Sequence, residues 1–540
     1  MRDELSRLSI RLTVLKQHGC SLFIVCLIAR CGFLHADSTS LSVTAAGLPR
    51  ASAFVSVAAT NDWLLDATFA RAAVQRGAND HELVLDNGLL RQTFRLAPNA
   101  ATIGVDNRMT GASVLRAVEP EALVTIDGKE LEVGGLRGQT DRAYLLPEWV
   151  ERLTINPAAF QFVGFSVGTP ATPFSWKRKR HSAELAWPPS GVSVDFVFRG
   201  PDTATRDITV TIHYELYDGL PILGKWLTVS NGTSRAIMLD RFTSERLAVV
   251  ESESAVDERL DIAWRTPAID VLSDYMFKGM DVITGNQIAL WQDDPRYKTQ
   301  VSYNLKTPSV LVVRPPIGPG IRIEPGQTFS SFRSYLIVHD STERERQGLT
   351  LRRATRALAP WTTENPIMMH VRNADTKGFR SAVDQCAEVG FEMIIYTFGS
   401  GLNMENEDPS YLAQVKTDVD YAHSKGIEVG AYSLFSSRRI DDANDVINLK
   451  TGKPGGAIFE NAPCFGSAWG TNYFRKLTNF LAQTGLDLLE QDGPYPGDIC
   501  ASTNHPGHRN ESDSQWVNWR MSADLYTWCR ERGIYVNQPD

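Results

Sequence analysis

The sequence predicts a multidomain protein in which an N-terminal antiparallel β-sandwich is followed by a parallel α/β segment of barrel type. Three observations carry this. Before residue 340, strand-period segments closed by Asn-Gly or Asp-Gly turns recur, and helix-period segments are scarce. After residue 363, short apolar runs alternate with helical segments that end at glycine, the pattern of parallel strands joined by crossover helices. At 540 residues the chain can bury more than one core, and 43% hydrophobic against 22% charged residues argues against wholesale disorder.

Residues 1–36 read as an export signal. Arg2, Arg7, Arg11 and Lys16 precede the apolar run from Ser21 to Ala29, and Leu34-His35-Ala36 offers a small residue for cleavage. The run is too short for a stable membrane span and Arg30 interrupts it, so a periplasmic or extracellular protein is expected. Residues 37–80 are rich in Ala, Ser and Thr with weak periodicity, and are expected to form a poorly structured leader. The net charge of 55 − 63 = −8 disfavours nucleic acid as a partner. Cys20, Cys26 and Cys31 fall in the signal, leaving Cys386, Cys464, Cys500 and Cys529, too few for a disulfide scaffold. A Cys464–Cys500 bridge is one of the pairings open to them.

Residues 81–342 form the sandwich. His81 to Leu96 makes two short strands around Asn87-Gly88, and Ala122 to Gly128 repeats strand then turn. Ile208 to Gly219 alternates apolar with polar residues over a long span, with Leu227 to Gly232 as its partner. Gly164-Phe165-Ser166-Val167-Gly168 matches a nucleophile-elbow pattern, but the Pro-rich stretch after it cannot start the helix an elbow needs. Asn231-Gly232-Thr233 and Asn510-Glu511-Ser512 are glycosylation sequons of a length that arises by chance.

Residues 343–362 read as a linker helix, Arg344 to Leu358, ending at Pro360-Trp361. In 363–540, strands are expected at Pro366–Val371, Phe391–Phe398, Ile427–Ser433, Leu486–Asp492 and Ile534–Asn537. Helices are expected from Lys377, Tyr411, Tyr473 and Trp516. A complete eightfold barrel takes about 250 residues, so these five strands predict an incomplete one. Its unpaired strand edges predict poor solubility.

Carboxylates at the C-terminal ends of parallel strands commonly do chemistry, and Asp492 stands at such an end before Gly493-Pro494. Arg372 and Asn373 follow the first strand, Tyr432 and Ser433 close the third, and Tyr495 and Asp498 follow the fourth. Trp469 offers an apolar ring to a sugar face. Asp375 reads as a helix cap. His505-Pro506-Gly507-His508 lacks a third ligand nearby, so no metal is expected and the loop reads as polar or substrate-contacting.

Gly485-Leu486-Asp487-Leu488-Leu489-Glu490-Gln491-Asp492 resembles the fourth barrel strand of the melibiase clan, the retaining α-galactosidases and α-N-acetylgalactosaminidases of glycoside hydrolase families twenty-seven and thirty-six. His423 to Ser433 is similar to the clan's third strand, and Asn87-Gly88-Leu89 with Tyr214 to Gly219 resembles strands of the family thirty-six β-supersandwich. The resemblance covers roughly residues 80 to 540. It implies a β-supersandwich before a (β/α)8 TIM-type barrel and a retaining α-glycosidase with Asp492 as nucleophile. An α-linked oligosaccharide or glycoconjugate is the implied substrate, with no cofactor and an open oligomeric state. The clan's acid/base stands on a sixth strand, beyond the five found here. Glu490 occupies the place of a clan lysine and would raise the nucleophile's pKa unless neutralised. Phe398-Gly399-Ser400 replaces paired aspartates, which puts galactose specificity in question. The other reading is a non-catalytic carbohydrate-binding protein or inactive fragment.

Overall fold

The computed structural model describes residues 41–52, 62–180, 186–251, 266–275, 287–298, 307–457, 460–492 and 498–538. Residues 1–36, expected to be an export signal, lie outside these residues. Among the described residues, no helix is long and apolar enough to cross a membrane.

The first part of the chain builds four antiparallel sheets. The longest pairing is the expected one: Ile208–Tyr217 runs against Ile222–Asn231, and Gly191–Arg199 adds to its other edge. Its alternation puts Val210, Ile212 and Tyr214 into one core with Phe94, Phe196, Phe242 and Phe329, while the intervening residues face outward. Asp127 and Gly128 both take positive φ, 50° and 79°, in the two-residue turn between Ala122–Ile126 and Lys129–Val133, as a tight hairpin requires. Ser166 lies inside the strand Gln161–Gly168, so no nucleophile elbow forms. Asn231 is buried and its amide donates to the carbonyls of Arg235 and Ile323, which leaves that sequon without a free side chain.

The span read as a poorly structured leader differs from expectation. Ala73–Arg76 is an edge strand on Glu82–Asp86, Ala45, Trp63 and Ala70 are buried, and Trp63 Nε1 donates to Asp340 at 2.8 Å. Side chains reaching the linker helix hold this segment, with Arg346 gripping both Asp62 and Asp340. Such contacts leave no periodicity to read.

Helix α1 (Arg344–Leu358) leads into the parallel segment. Its strands are β1 (Met368–Val371), β2 (Met393–Tyr396), β3 (Glu428–Leu434), β4 (Leu488–Asp492) and β5 (Tyr535–Asn537), hydrogen-bonded in that order and all parallel. Between them run α2 (Thr376–Val389), α3 (Pro409–Ser424), α4 (Ala468–Thr484) and α5 (Glu511–Arg532). Asp375 caps α2 by accepting the Gly378 amide at 2.9 Å, and Gly390, Gly485 and Gly533 end α2, α4 and α5 in the left-handed region. One face of the sheet packs Met369, Ile394, Tyr396, Val429 and Leu489 under these helices.

The two parts share a core. Trp516 of α5 is buried among the aromatics of the antiparallel sheets, edge-on to Phe242 at 5.8 Å and stacked on Tyr275 at 5.5 Å. Gly318 and Gly320, both at positive φ, lie so close to Ser512 that a Cβ on Gly318 would come within 2.5 Å of its carbonyl oxygen.

Candidate active site

The second face of the parallel sheet changes character along the strands. Towards their N-terminal ends Met368, Met393, Ile395, Leu488 and Tyr535 form a small apolar cluster. Towards the C-terminal ends come polar residues, because the two-residue period carries the same face on to His370, Tyr432, Glu490 and Asn537. Tyr432, Glu490 and Asn537 pair across three neighbouring strands as one rung. Position 492 lies one rung further on, paired with Leu434, at the end of β4.

Glu490 is 4% exposed, and a carboxylate so buried needs partners. His370 Nε2 lies 2.8 Å from its Oε1, and Asn537 Nδ2 donates to the same oxygen at 2.8 Å. The contact with His370 also fixes the shape of the sheet. Strands β1 and β4 are three steps apart, about 14 Å on a flat sheet, and side chains standing on one face would not meet across that gap. The sheet is therefore curled, with this polar rung on its concave side.

The expected site residues distribute unevenly around that rung. Tyr432 is half-buried, with its ring edge-on to Phe398 at 5.5 Å. Arg372 and Asn373 are exposed just past β1, and Asn373 Oδ1 accepts the Asp375 amide, so it also shapes the turn before α2. Asp498 is half-buried ahead of Cys500. Tyr495 lies outside the described residues, as does the side chain of Asp492. Trp469 is placed apart from the rung. It stacks on Tyr473 at 4.6 Å with the Arg438 guanidinium 4.9 Å from its ring, so its π surface is used in packing. Ser433 also faces the helices, with its Oγ 2.5 Å from the Tyr473 hydroxyl.

Sequence reasoning missed His370 and Asn537, although each is a polar residue on the inward period of an apolar strand, and that was the available signal. It also missed a support beneath β4. Asp487 is 5% exposed, and receives Lys179 Nζ from the sandwich side, His423 Nε2 at 2.7 Å and the Val429 amide at 3.0 Å. Burial pushes the Asp487 carboxyl up, but these donors outweigh it and hold the group below the usual carboxylate range. The hydrogen bond to Asp487 in turn raises His423, against its own partial burial.

The cysteine pairing left open by the sequence does not form, and one expectation about histidine is corrected. Cys464 and Cys500 are free thiols, not a disulfide. The His505–His508 pair, expected to lack further ligands, has both of these thiols beside it. Loop residues 36 positions apart in sequence cannot announce such a meeting through local spacing.

No protein-family model matches the sequence, and no curated protein does. Solved structures do match. An α-galactosidase from Lactobacillus brevis superposes with a TM-score of 0.53 at 11% identity, covering 85% of this chain and 69% of that one. A GH36 α-galactosidase from Geobacillus stearothermophilus, solved in complex with stachyose, superposes with a TM-score of 0.51 at 9% identity, covering 85% and 72%. Identities this low speak for the fold alone: the chain is similar in fold to these α-galactosidases.

Proposed function

We propose that this protein is an exported retaining α-glycoside hydrolase acting on an α-linked oligosaccharide or glycoconjugate, with Asp492 as its nucleophile. The observation that supports this best is the place of position 492, at the C-terminal end of β4 on the concave face and one rung beyond Glu490. The curled five-stranded sheet is read as the first strands of a (β/α)8 barrel, with the antiparallel sheets as its supersandwich. In this chemistry a carboxylate attacks the anomeric carbon and a second carboxyl, about 5 to 5.5 Å away, protonates the leaving oxygen and then activates water. In the clan that second group stands on the sixth strand; the five strands here carry the nucleophile's half of the pair.

Glu490 replaces the clan's lysine, and His370 and Asn537 are the groups that answer its charge. A carboxylate held by an imidazole and an amide presents a different set of donors and acceptors to the sugar hydroxyls than a lysine does. That favours a substrate whose hydroxyl pattern differs from galactose, and a panel of aryl α-glycosides is the direct probe.

The test compares the wild-type chain with Asp492→Asn, which keeps the shape and removes the nucleophile. Retaining hydrolysis by the wild type, with kcat lowered at least about 1,000-fold in the variant, is the outcome that places Asp492 at the chemistry, and it requires a second catalytic carboxyl in this chain away from the five strand ends. Turnover that survives the substitution would remove Asp492 from the chemistry. Saturable sugar binding without turnover would point to a carbohydrate-binding protein on the same scaffold.

A further inference from the structure

We propose that Cys464, Cys500, His505 and His508 form a structural zinc site, independent of the glycosidase reading, that clips the loop after β3 to the loop after β4. All four are buried, with exposures of 6%, 0%, 6% and 4%. Their ligand atoms lie within 4.8 Å of one another. Cys464 Sγ is 3.2 Å from His508 Nε2, Cys500 Sγ is 3.4 Å from His505 Nδ1, and the two imidazole nitrogens are 3.3 Å apart. A tetrahedral zinc with bonds of about 2.3 Å to sulfur and about 2.0 to 2.1 Å to nitrogen has ligand-to-ligand edges of about 3.3 to 3.8 Å. The three separations fall within a few tenths of an ångström of those edges.

The surroundings prepare the donors. His505 Nε2 is 3.0 Å from the Ala443 carbonyl, which can only accept, so the proton sits on Nε2 and the Nδ1 lone pair turns to the centre of the cluster. The Ile447 amide donates to Cys500 Sγ at 3.4 Å, support that a thiolate uses better than a thiol. Gly466 and Gly507 make room, since a Cβ on Gly466 would come within 2.4 Å of the His508 ring and one on Gly507 within 2.8 Å of Gly466. Two sulfurs and two imidazoles are a soft donor set that selects zinc over magnesium or calcium. On binding, each thiol releases its proton to solvent. Two thiolates then balance the doubly charged ion, and a neutral unit can be buried without the cost of an isolated charge.

Position gives the clip its use. Cys464 lies between β3 and α4, and the other three ligands between β4 and α5. Both loops leave the C-terminal ends of strands, where position 492 also stands. No local motif closes them, because Cys464 and His508 are 44 residues apart.

The experiment uses the full chain, purified with zinc present and then dialysed against metal-free buffer. About one zinc per chain is expected by mass spectrometry of metals, and native mass should show the gain of zinc with the loss of two protons. Cys500→Ser combined with His508→Gln should lower the content at least about tenfold, whereas Cys386→Ser should keep it. Cobalt exchanged into the wild-type chain should give the intense visible bands of a tetrahedral thiolate site, a readout that does not depend on any variant folding. A wild-type chain without zinc, a Cys464–Cys500 disulfide, zinc retained by the double variant, or the weak spectrum of six-coordinate cobalt would each overturn the proposal.

Discussion

A buried carboxylate is stable only as well as its donors, and Glu490 has two that differ in kind. Asn537 is a neutral amide, and His370 is half-exposed, so the worth of each is mainly its hydrogen bond. His370→Ala is expected to lower stability by about 1 to 2 kcal/mol, because His370 reaches both carboxylate oxygens, and Asn537→Ala by about 1 kcal/mol, because the oxygen it serves keeps His370. In a Glu490→Gln background both losses should shrink, since an amide tolerates a missing donor better than a charge does. Denaturant midpoints on the three single and two double variants check this, and strict additivity would mean the three side chains do not act together. Residues of this kind show how far sequence reading reaches. Asp375 was legible as a cap because its partner is three positions away, whereas His370 finds Glu490 120 residues on, across a curl that no local pattern records.

Elements were more legible than the contacts between them. The helices and parallel strands fall where periodicity and terminal glycines place them, with ends displaced by a few residues: the strand expected at Phe391–Phe398 is Met393–Tyr396, and Ile534–Asn537 begins at Tyr535. What seats β4 is not periodic. Asp487, just before the strand, ties it to α3 through His423 and to the sandwich side through Lys179. This anchor has a pH signature. The raised His423 contributes stability fully below its unfolded value of about 6.5, and loses it as pH rises through the higher folded value. The lowered Asp487 contributes above its unfolded value of about 3.9, and loses it as pH falls through the lower folded value. The anchor is thus strongest between about pH 4 and 6.5. Asp487→Asn should flatten the dependence on both sides, so the difference in Tm between wild type and variant should peak in that window and narrow towards pH 8.5. A difference independent of pH would mean that Asp487 acts through packing alone.

For the whole molecule, the joint between sandwich and parallel sheet was the least legible feature, and α5 shows why. Helix α5 buries Trp516 into the sandwich and Leu525 and Cys529 against the sheet, so it has no single apolar stripe to reveal a docking face. Trp516 sits within the aromatic core of the antiparallel sheets, among Phe242, Phe329 and Tyr275, and is not a rim contact. The two parts are then expected to unfold in one transition, since separating them opens the sandwich core itself. Trp516→Ala should cost about 3 to 5 kcal/mol through lost burial and the cavity left behind. It should also split the transition, with the β signal of the sandwich surviving to a higher denaturant concentration than the helical signal of the parallel segment. Far-ultraviolet circular dichroism read together with tryptophan fluorescence separates the two. An unchanged single midpoint would shift the weight of the joint to polar contacts around it, where Trp519 Nε1 donates to the Asp274 carbonyl at 2.9 Å and Arg509 reaches the Gly320 carbonyl. Trp519→Phe and Arg509→Met would then be the substitutions that uncouple sandwich from sheet.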